Sequence, residues 1–137
     1  MKISELRIGN FVTIDNPISW LSMKGIPLTV TGIENIISEE DKKMFSHSEG
    51  RILMKSEFEN YRQFSQFVVP IPLTEDWLHN FGFTKKGEFW FEKNGITVES
   101  TTKGIVYFLY PSVLRLKSVH QLQNFYFALT GEELELQ

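Results

Sequence analysis

The stretch from Ser118 to Thr130 constrains the fold more than any other part of this 137-residue chain. Ser118 and Gln121 have the spacing of a capping box, in which two side chains satisfy backbone donors at a helix start. Four apolar residues then recur at helical spacing and predict one buried stripe: Val119, Leu122, Tyr126 and Leu129. Gly131 follows as a residue that can end the helix with a positive φ.

The second half of this helix should be buried on more than one side. Three further apolar residues widen the stripe there: Phe125, Phe127 and Ala128. The preceding run 105–110 is apolar at alternate positions on both sides, which is typical of a strand buried on both faces. We therefore expect the helix to pack on a sheet that contains this strand.

Asn94-Gly95 is the strongest hairpin signal in the chain, and it predicts a type I′ turn. A second turn at Lys103-Gly104 then gives a three-stranded antiparallel meander over residues 87–110. One face, to be covered by the helices, carries seven apolar residues: Phe89, Phe91, Ile96, Val98, Ile105, Tyr107 and Leu109. The other carries aromatic and acidic residues together: Trp90, Val106, Phe108 and Tyr110 with Glu88, Glu92 and Glu99.

A short helix is predicted after the stiff connector Pro70-Ile71-Pro72. Thr74 is a good N-cap residue, and the acidic pair Glu75-Asp76 complements the positive end of the helix dipole. Gly82 should end this helix after about two turns.

Residues 1–70 read as several short strands with strong bends. Strands are predicted at 11–14, 27–37, 51–55 and 67–69, with a bulge or a sharp bend at Gly32. The charged run Ser38–Gly50 reads as an exposed loop. The fold class is therefore α+β: residues 1–70 form a small β-barrel-like or curled-sheet subdomain. Residues 71–137 form a helix-β-β-β-helix subdomain, and we expect the two to pack together as one compact unit.

Composition limits the classes of function. The net charge of −3 argues against broad wrapping of a nucleic-acid backbone. The chain has no cysteine, which excludes disulfides and thiolate metal sites. Its first residues lack a signal-peptide core, and no apolar run approaches the ~20 residues of a membrane helix. We therefore expect a cytoplasmic protein with no membrane partner.

No catalytic motif stands out. The three histidines, His47, His79 and His120, lack metal-binding spacing and are expected at the surface or at helix ends. The run Ser100–Gly104 superficially resembles a phosphate loop, but its order is wrong and no helix follows it. We predict no catalytic residues, no metal and no cofactor, and an enzyme is the least supported class.

Two binding hypotheses remain, both centred on four residues: Trp90, Phe108, Tyr110 and Lys93. An aromatic face mixed with carboxylates suits a protein partner or a second copy, and Trp90 should stay partly open as the contact point. The alternative is single-stranded nucleic acid, because residues 84–117 carry six basic and three acidic side chains beside the aromatic residues. The glutamates on the aromatic face would repel phosphate, so this alternative is not favoured.

Three motifs carry a resemblance that spans most of the chain: LRIGNFV at 6–12, PIPLTEDWL at 70–78 and VHQLQNFYFALTGEEL at 119–134. In this order they resemble a group of small uncharacterised proteins of gut bacteria and their mobile elements. The resemblance implies no known activity and transfers no functional residues.

Overall fold

The computed structural model describes residues 1–17, 23–35, 38–45 and 47–137. Over these residues the protein is α+β, with ten strands in two antiparallel sheets and three α-helices. The chain forms two compact units, Met1–Ile71 and Pro72–Gln137. Each unit contains one five-stranded sheet.

The first sheet has the spatial order β4-β3-β2-β1-β5. Its strands are β1 (Phe11–Ile14), β2 (Leu28–Glu34), β3 (Arg51–Lys55), β4 (Asn60–Phe64) and β5 (Val68–Val69). Within the described residues the sheet is open, so the barrel-like part of the prediction is not confirmed. The predicted irregularity at Gly32 is confirmed, because the β2–β3 register shifts between Val30 and Gly32. The predicted end of the second strand, at 36–37, lies outside the described residues.

The core of the first unit lies on one side of this sheet. It is built from apolar residues that alternate along the strands, together with one residue from the N-terminal segment: Leu6, Val12, Ile14, Leu28, Val30, Ile52, Met54 and Val68. This unit also contains two short 3-10 turns, Ile3–Glu5 and Ser65–Phe67.

The prediction of an exposed loop over Ser38–Gly50 is wrong in its first half, where helix α1 (Glu39–Met44) forms. Ser38 caps the helix, and its hydroxyl accepts a hydrogen bond from the Asp41 backbone N–H at 3.1 Å. The acidic residues lie in the first turn and the lysines in the last, which is the order the helix dipole favours. The segment is exposed, as predicted, and its cap and its charge order both favour a helix. Arg51 of β3 also contacts it, through an ion pair of 2.6 Å with Asp41.

The second sheet has the spatial order β10-β9-β8-β7-β6. Its strands are β6 (Thr84–Lys85), β7 (Trp90–Lys93), β8 (Ile96–Thr101), β9 (Gly104–Leu109) and β10 (Ser112–Leu116). The predicted turn is confirmed, because Asn94 and Gly95 both have positive φ, and Phe91 pairs with Val98 as expected.

Sequence reasoning missed β6 and β10, so the sheet has five strands rather than three. β9 ends just before the predicted end of the meander at residue 110, but the chain does not leave the sheet. Tyr110 and Pro111 form a two-residue turn with a cis peptide bond, and Leu109 pairs directly with Ser112.

Helix α2 (Glu75–Asn80) and helix α3 (Val119–Thr130) both contact the same face of the second sheet. His79 of α2 lies edge-on to Phe91, with ring centroids 5.3 Å apart. Phe125 of α3 contacts Tyr107, with ring centroids 4.7 Å apart. Phe91 and Tyr107 alternate with the aromatic residues of the opposite face, so the helices lie on the predicted face. The predicted cover is incomplete, because Phe89 and Leu109 at the ends of this face are each 50% exposed.

The ends of α3 follow the predicted signals, with one difference. Ser118 accepts from the Gln121 N–H at 3.4 Å, but the Gln121 side chain accepts from the Lys117 N–H rather than from Ser118. Gly131 has φ +74° and donates to the Phe127 carbonyl at 2.8 Å. The capping box therefore reaches one residue further back than its usual form.

The predicted burial of α3 holds for its first two turns and fails at its end. Val119, Leu122 and Tyr126 are buried, but Leu129 is 51% exposed. The expectation of burial on more than one side is also wrong, because Phe127 and Ala128 are exposed. Two polar residues are buried instead: His120, whose Nδ1 lies 3.1 Å from the Ser118 hydroxyl oxygen, and Gln123.

Candidate interaction surface

The strand register of the second sheet brings residues of four strands into one row. Trp90 of β7 pairs with Glu99 of β8, Glu99 pairs with Val106 of β9, and Val106 pairs with Arg115 of β10. Side chains alternate along each strand, so this row and its same-side neighbours share one face. We call it the aromatic face, and it comprises Trp90, Glu92, Glu99, Val106, Phe108, Val113 and Arg115.

Two of the predicted binding residues meet on the aromatic face. The rings of Trp90 and Phe108 have centroids 5.8 Å apart at an angle of 41°. Trp90 is 40% exposed and Phe108 is 49% exposed. Trp90 is therefore partly open, as expected, and it forms one surface with Phe108.

The third predicted residue, Tyr110, lies at the turn between β9 and β10 and is fully exposed. The expectation that strand 105–110 is buried on both faces is therefore wrong for its second half. The strand is buried only at Ile105 and Val106, while the hairpin beyond them exposes its apolar side chains.

Lys93, the fourth predicted residue, does not lie with the other three. It alternates with Glu92, so its side chain is on the face that the helices cover. Its ammonium group donates a hydrogen bond to the Phe81 carbonyl at the end of α2. The lysine thus stabilises a helix C-terminus, where backbone carbonyls need donors.

Sequence reasoning missed the residues of β10 and its turn. Leu109 and Val113 are each 50% exposed, and Leu114 is also exposed. Leu109 and Leu114 lie on the helix-covered side of the sheet, whereas Val113 lies on the aromatic face beside Phe108. We call Phe108, Leu109, Tyr110, Val113 and Leu114 the hairpin tip. The alternation in Ser112–Leu116 was the available signal, and the proline before it obscured the strand.

The charges on the aromatic face are mixed. Glu92 and Glu99 are partly buried within it, and Glu92 accepts a hydrogen bond from the Gly95 N–H at 2.8 Å. Arg115 lies at the other end of the row from Trp90 and is exposed. Lys86 is opposite Trp90 in the register of β6 and β7, its N–H donates to the Trp90 carbonyl at 2.8 Å, and it is exposed. The face therefore presents apolar rings between carboxylates, one guanidinium and one ammonium group.

A cleft of about 390 Å³ lies at one margin of the second sheet. Its lining consists of two carboxylates, three hydroxyls and one ring: Glu75, Glu99, Ser100, Thr101, Thr102 and Phe89. Glu75 is 3.8 Å from the Lys85 ammonium group. The lining offers hydrogen-bond acceptors but includes no histidine.

Two further properties of the described residues bear on metal binding and on membrane insertion. Among them, no three His, Cys, Asp or Glu side chains lie close enough together to hold a metal ion. No helix in the described part of the chain is both long and apolar enough to cross a lipid bilayer. His47 and His79 are exposed, as predicted, whereas His120 is buried.

Known protein families, curated proteins and solved structures yielded no match to this chain. The resemblance to the gut-bacterial group stays a prediction.

Proposed function

We propose that this protein is a non-enzymatic interaction protein that binds a protein surface, of a partner or of a second copy, through the hairpin tip and the aromatic face. The observation that supports this proposal is the exposure of apolar residues on both sides of one hairpin. Phe108 and Val113 form a directly paired apolar couple on one side, and Leu114 lies on the other. Contiguous apolar surface of a few hundred Å² on a soluble protein usually marks a contact site.

The composition of the surface favours protein over single-stranded nucleic acid. Aromatic residues and arginine are enriched at the centres of protein interfaces, and mixed charge at the margin favours a specific orientation. Stacking of nucleic-acid bases on Trp90 would place phosphates close to Glu99, which is directly opposite Trp90 in the sheet. Lys93 of β7 is engaged with α2 on the other face, so Lys86 is the lysine that lies beside Trp90.

Photo-crosslinking in the native cells tests the proposal. The photoreactive analogue p-benzoylphenylalanine replaces Tyr110, which is fully exposed at the hairpin tip. Because the benzophenone reacts only with groups it touches, we expect a discrete protein adduct. The additional substitution Phe108→Ser should reduce its yield, since it removes the neighbouring apolar contact.

A matched control replaces Phe58, which is 89% exposed in the first unit, with the same analogue. It should give no adduct that depends on Phe108. The proposal fails if position 110 gives no protein adduct, or if the two positions give the same adducts. Crosslinks to nucleic acid alone would instead favour the alternative.

A further inference from the structure

Strand β10 is the last strand of the second sheet among the described residues, and its backbone direction can be derived from the register. The Ser100 N–H donates to the Phe89 carbonyl at 2.8 Å, so the backbone groups of Ser100 point toward β7. Along an extended strand, the backbone N–H and C=O groups of successive residues point to opposite sides of the strand. Pairs of opposite residues therefore alternate between hydrogen-bonded and non-hydrogen-bonded pairs. The backbone of Val106, paired with Glu99, therefore points toward β8, and that of Tyr107 points toward β10.

The same alternation shows which residues of β10 direct their backbone groups away from β9, toward the open edge of the sheet. Leu114, which pairs with Tyr107, exchanges hydrogen bonds with β9, whereas Val113 and Arg115 direct their N–H and C=O groups outward. A second observation agrees, because the Leu73 N–H donates to the Lys117 carbonyl at 3.0 Å, two residues beyond Arg115. Ser112, Val113, Leu114 and Arg115 are all exposed.

This outer edge has a defined length. At one end, Pro72 and Leu73 pair with the residues that follow β10, so the edge is occupied from Lys117 onward. At the other end the chain turns at Tyr110-Pro111, and proline has no N–H to donate. The open edge therefore accommodates a strand of about five residues, which is the length of β10 itself.

We propose that the occupant is a second copy of this chain, whose β10 pairs antiparallel with the first across a two-fold axis at Leu114. This inference rests on the proposed function and specifies its partner. The axis places Val113 of each copy opposite Arg115 of the other, so all outward N–H and C=O groups form hydrogen bonds between the two strands. The second sheet of one copy and the second sheet of the other then form one continuous sheet. Both copies use the same residues, so the interface is isologous.

Charge selects this register over its neighbours. A two-fold axis at Arg115 would place two guanidinium groups directly opposite each other, which is destabilising in a sheet. An axis at Val113 would pair Arg115 with Pro111, which has no N–H, and would leave part of the edge unbonded. With the axis at Leu114, no residue is opposite a residue of like charge, and the Leu114 side chains of the two copies are opposite each other.

The side chains on both faces of β10 are compatible with a second copy of the same strand. Next to β10, the occupant must bring apolar side chains to the aromatic face and to the opposite face. A second β10 meets this requirement, because its Val113 lies on the aromatic face and its Leu114 on the opposite face. Long edge strands with exposed apolar residues usually carry a protective charge or a cover. β10 carries one such charge, Arg115, and pairing with an identical strand supplies the cover for its apolar residues.

Sedimentation equilibrium on the purified full chain is the first test. We expect a mass of twice 16.0 kDa that dissociates on dilution. Val113→Pro removes the outward N–H without removing a hydrogen bond to β9, so the monomer should keep its circular dichroism spectrum. The dimer loses two hydrogen bonds, which should weaken it at least about tenfold. Val113→Thr, which keeps the N–H, should leave the dissociation constant within about twofold.

Cysteine scanning tests the register, and the absence of native cysteine makes each introduced thiol unique. Leu114→Cys should form an intermolecular disulfide under mild oxidation, because non-bonded antiparallel pairs have Cα atoms about 4.5 Å apart. In Ser112→Cys the two thiol-bearing residues are offset by four positions, or about 14 Å along the strand, and should not crosslink.

The outcomes separate this inference from the proposed function. A monomer at all concentrations, or equal crosslinking of Leu114→Cys and Ser112→Cys, overturns the second-copy proposal. A photo-adduct at position 110 with a mass other than that of two chains would then preserve the proposed function. Absence of both the dimer and any adduct overturns both.

Discussion

The side-chain amide of Asn94 donates a hydrogen bond to the hydroxyl of Tyr126, across 2.7 Å and 32 positions of sequence. Asn94 is the residue with φ +49° in the type I′ turn, and Tyr126 is the last fully buried side chain of α3. The contact therefore joins the turn that sets the register of the sheet to the helix that covers it.

Removal of this hydrogen bond should lower stability modestly. Tyr126→Phe deletes the hydroxyl while keeping the ring, and we expect a loss of about 0.5–1.5 kcal/mol in the free energy of unfolding. Asn94→Gly keeps the positive φ but removes the amide. In a double-mutant cycle by urea denaturation, the two substitutions should be less than additive. Full additivity would show that the bond contributes nothing in solution.

The buried stripe of α3 predicts a large effect at Leu122 and a small one at Leu129. Leu122 is fully buried, so Leu122→Ala should cost about 2–5 kcal/mol through lost transfer energy and a cavity. Leu129→Ala, on the same helix, removes the same atoms from a side chain that is mostly exposed. It should stay within about 0.5 kcal/mol of the parent. Equal denaturation midpoints for the two variants would contradict the assigned packing.

The N-caps of α3 and α2 offer a matched comparison. Ser118 accepts a hydrogen bond from the Gln121 N–H, so Ser118→Ala should cost about 1 kcal/mol. Thr74 occupies the same position in α2, but its side chain makes no capping hydrogen bond. Thr74→Ala should therefore be less destabilising. Thermal melts that rank the two in the opposite order would count against the capping role of Ser118.

Gly50 lies where two backbone segments approach closely in the first unit. A Cβ at this position would overlap the Glu34 carbonyl oxygen and lie 2.7 Å from Cδ1 of Ile3. Because a backbone atom cannot rotate away, Gly50→Ala should destabilise by about 3 kcal/mol or prevent folding. Gly87→Ala is the control, since its nearest neighbour is Cδ1 of Trp90 at 3.8 Å. Similar unfolding curves for the two variants would refute the close approach.

Fluorescence anisotropy with labelled single-stranded DNA and RNA tests the nucleic-acid alternative. We expect no binding near ~0.15 M salt, because carboxylates lie beside the exposed rings. If binding occurs through phosphates, log affinity should fall with log salt by about 0.7 per phosphate contacted, and Arg115→Gln should reduce that slope. Tight binding with this behaviour would reverse the order of the two functions.

Local signals predicted several elements well. The Asn94-Gly95 dipeptide, the Ser118 cap and Gly131 each act through the φ preference or hydrogen bond of one or two residues. Such effects depend only on residues that are close together in the sequence, so they can be recognised without the rest of the molecule. The register of β7 and β8 followed from them, and with it the side on which Trp90 lies.

The candidate surface was predicted only in part. Trp90 and Phe108 come together because strand alternation and one turn decide their face. Lys93 was assigned to the same surface from its charge, but alternation turns it toward the Phe81 carbonyl. Val113 and Leu114 were missed because the predicted meander stopped at residue 110, whereas the strands continue on both sides of the turn at Tyr110-Pro111.

The sequence by itself determined where α2 and α3 begin and end and where the chain turns at Asn94-Gly95. Only the tertiary structure decided that Leu129 is exposed while Gln123 is buried, and that β10 joins the sheet as an edge strand. Caps and turns depend on neighbours within about four residues, so the local sequence contains them. Burial and strand pairing depend on which distant segments arrive beside a residue, and periodicity alone does not say how far along a helix that contact extends.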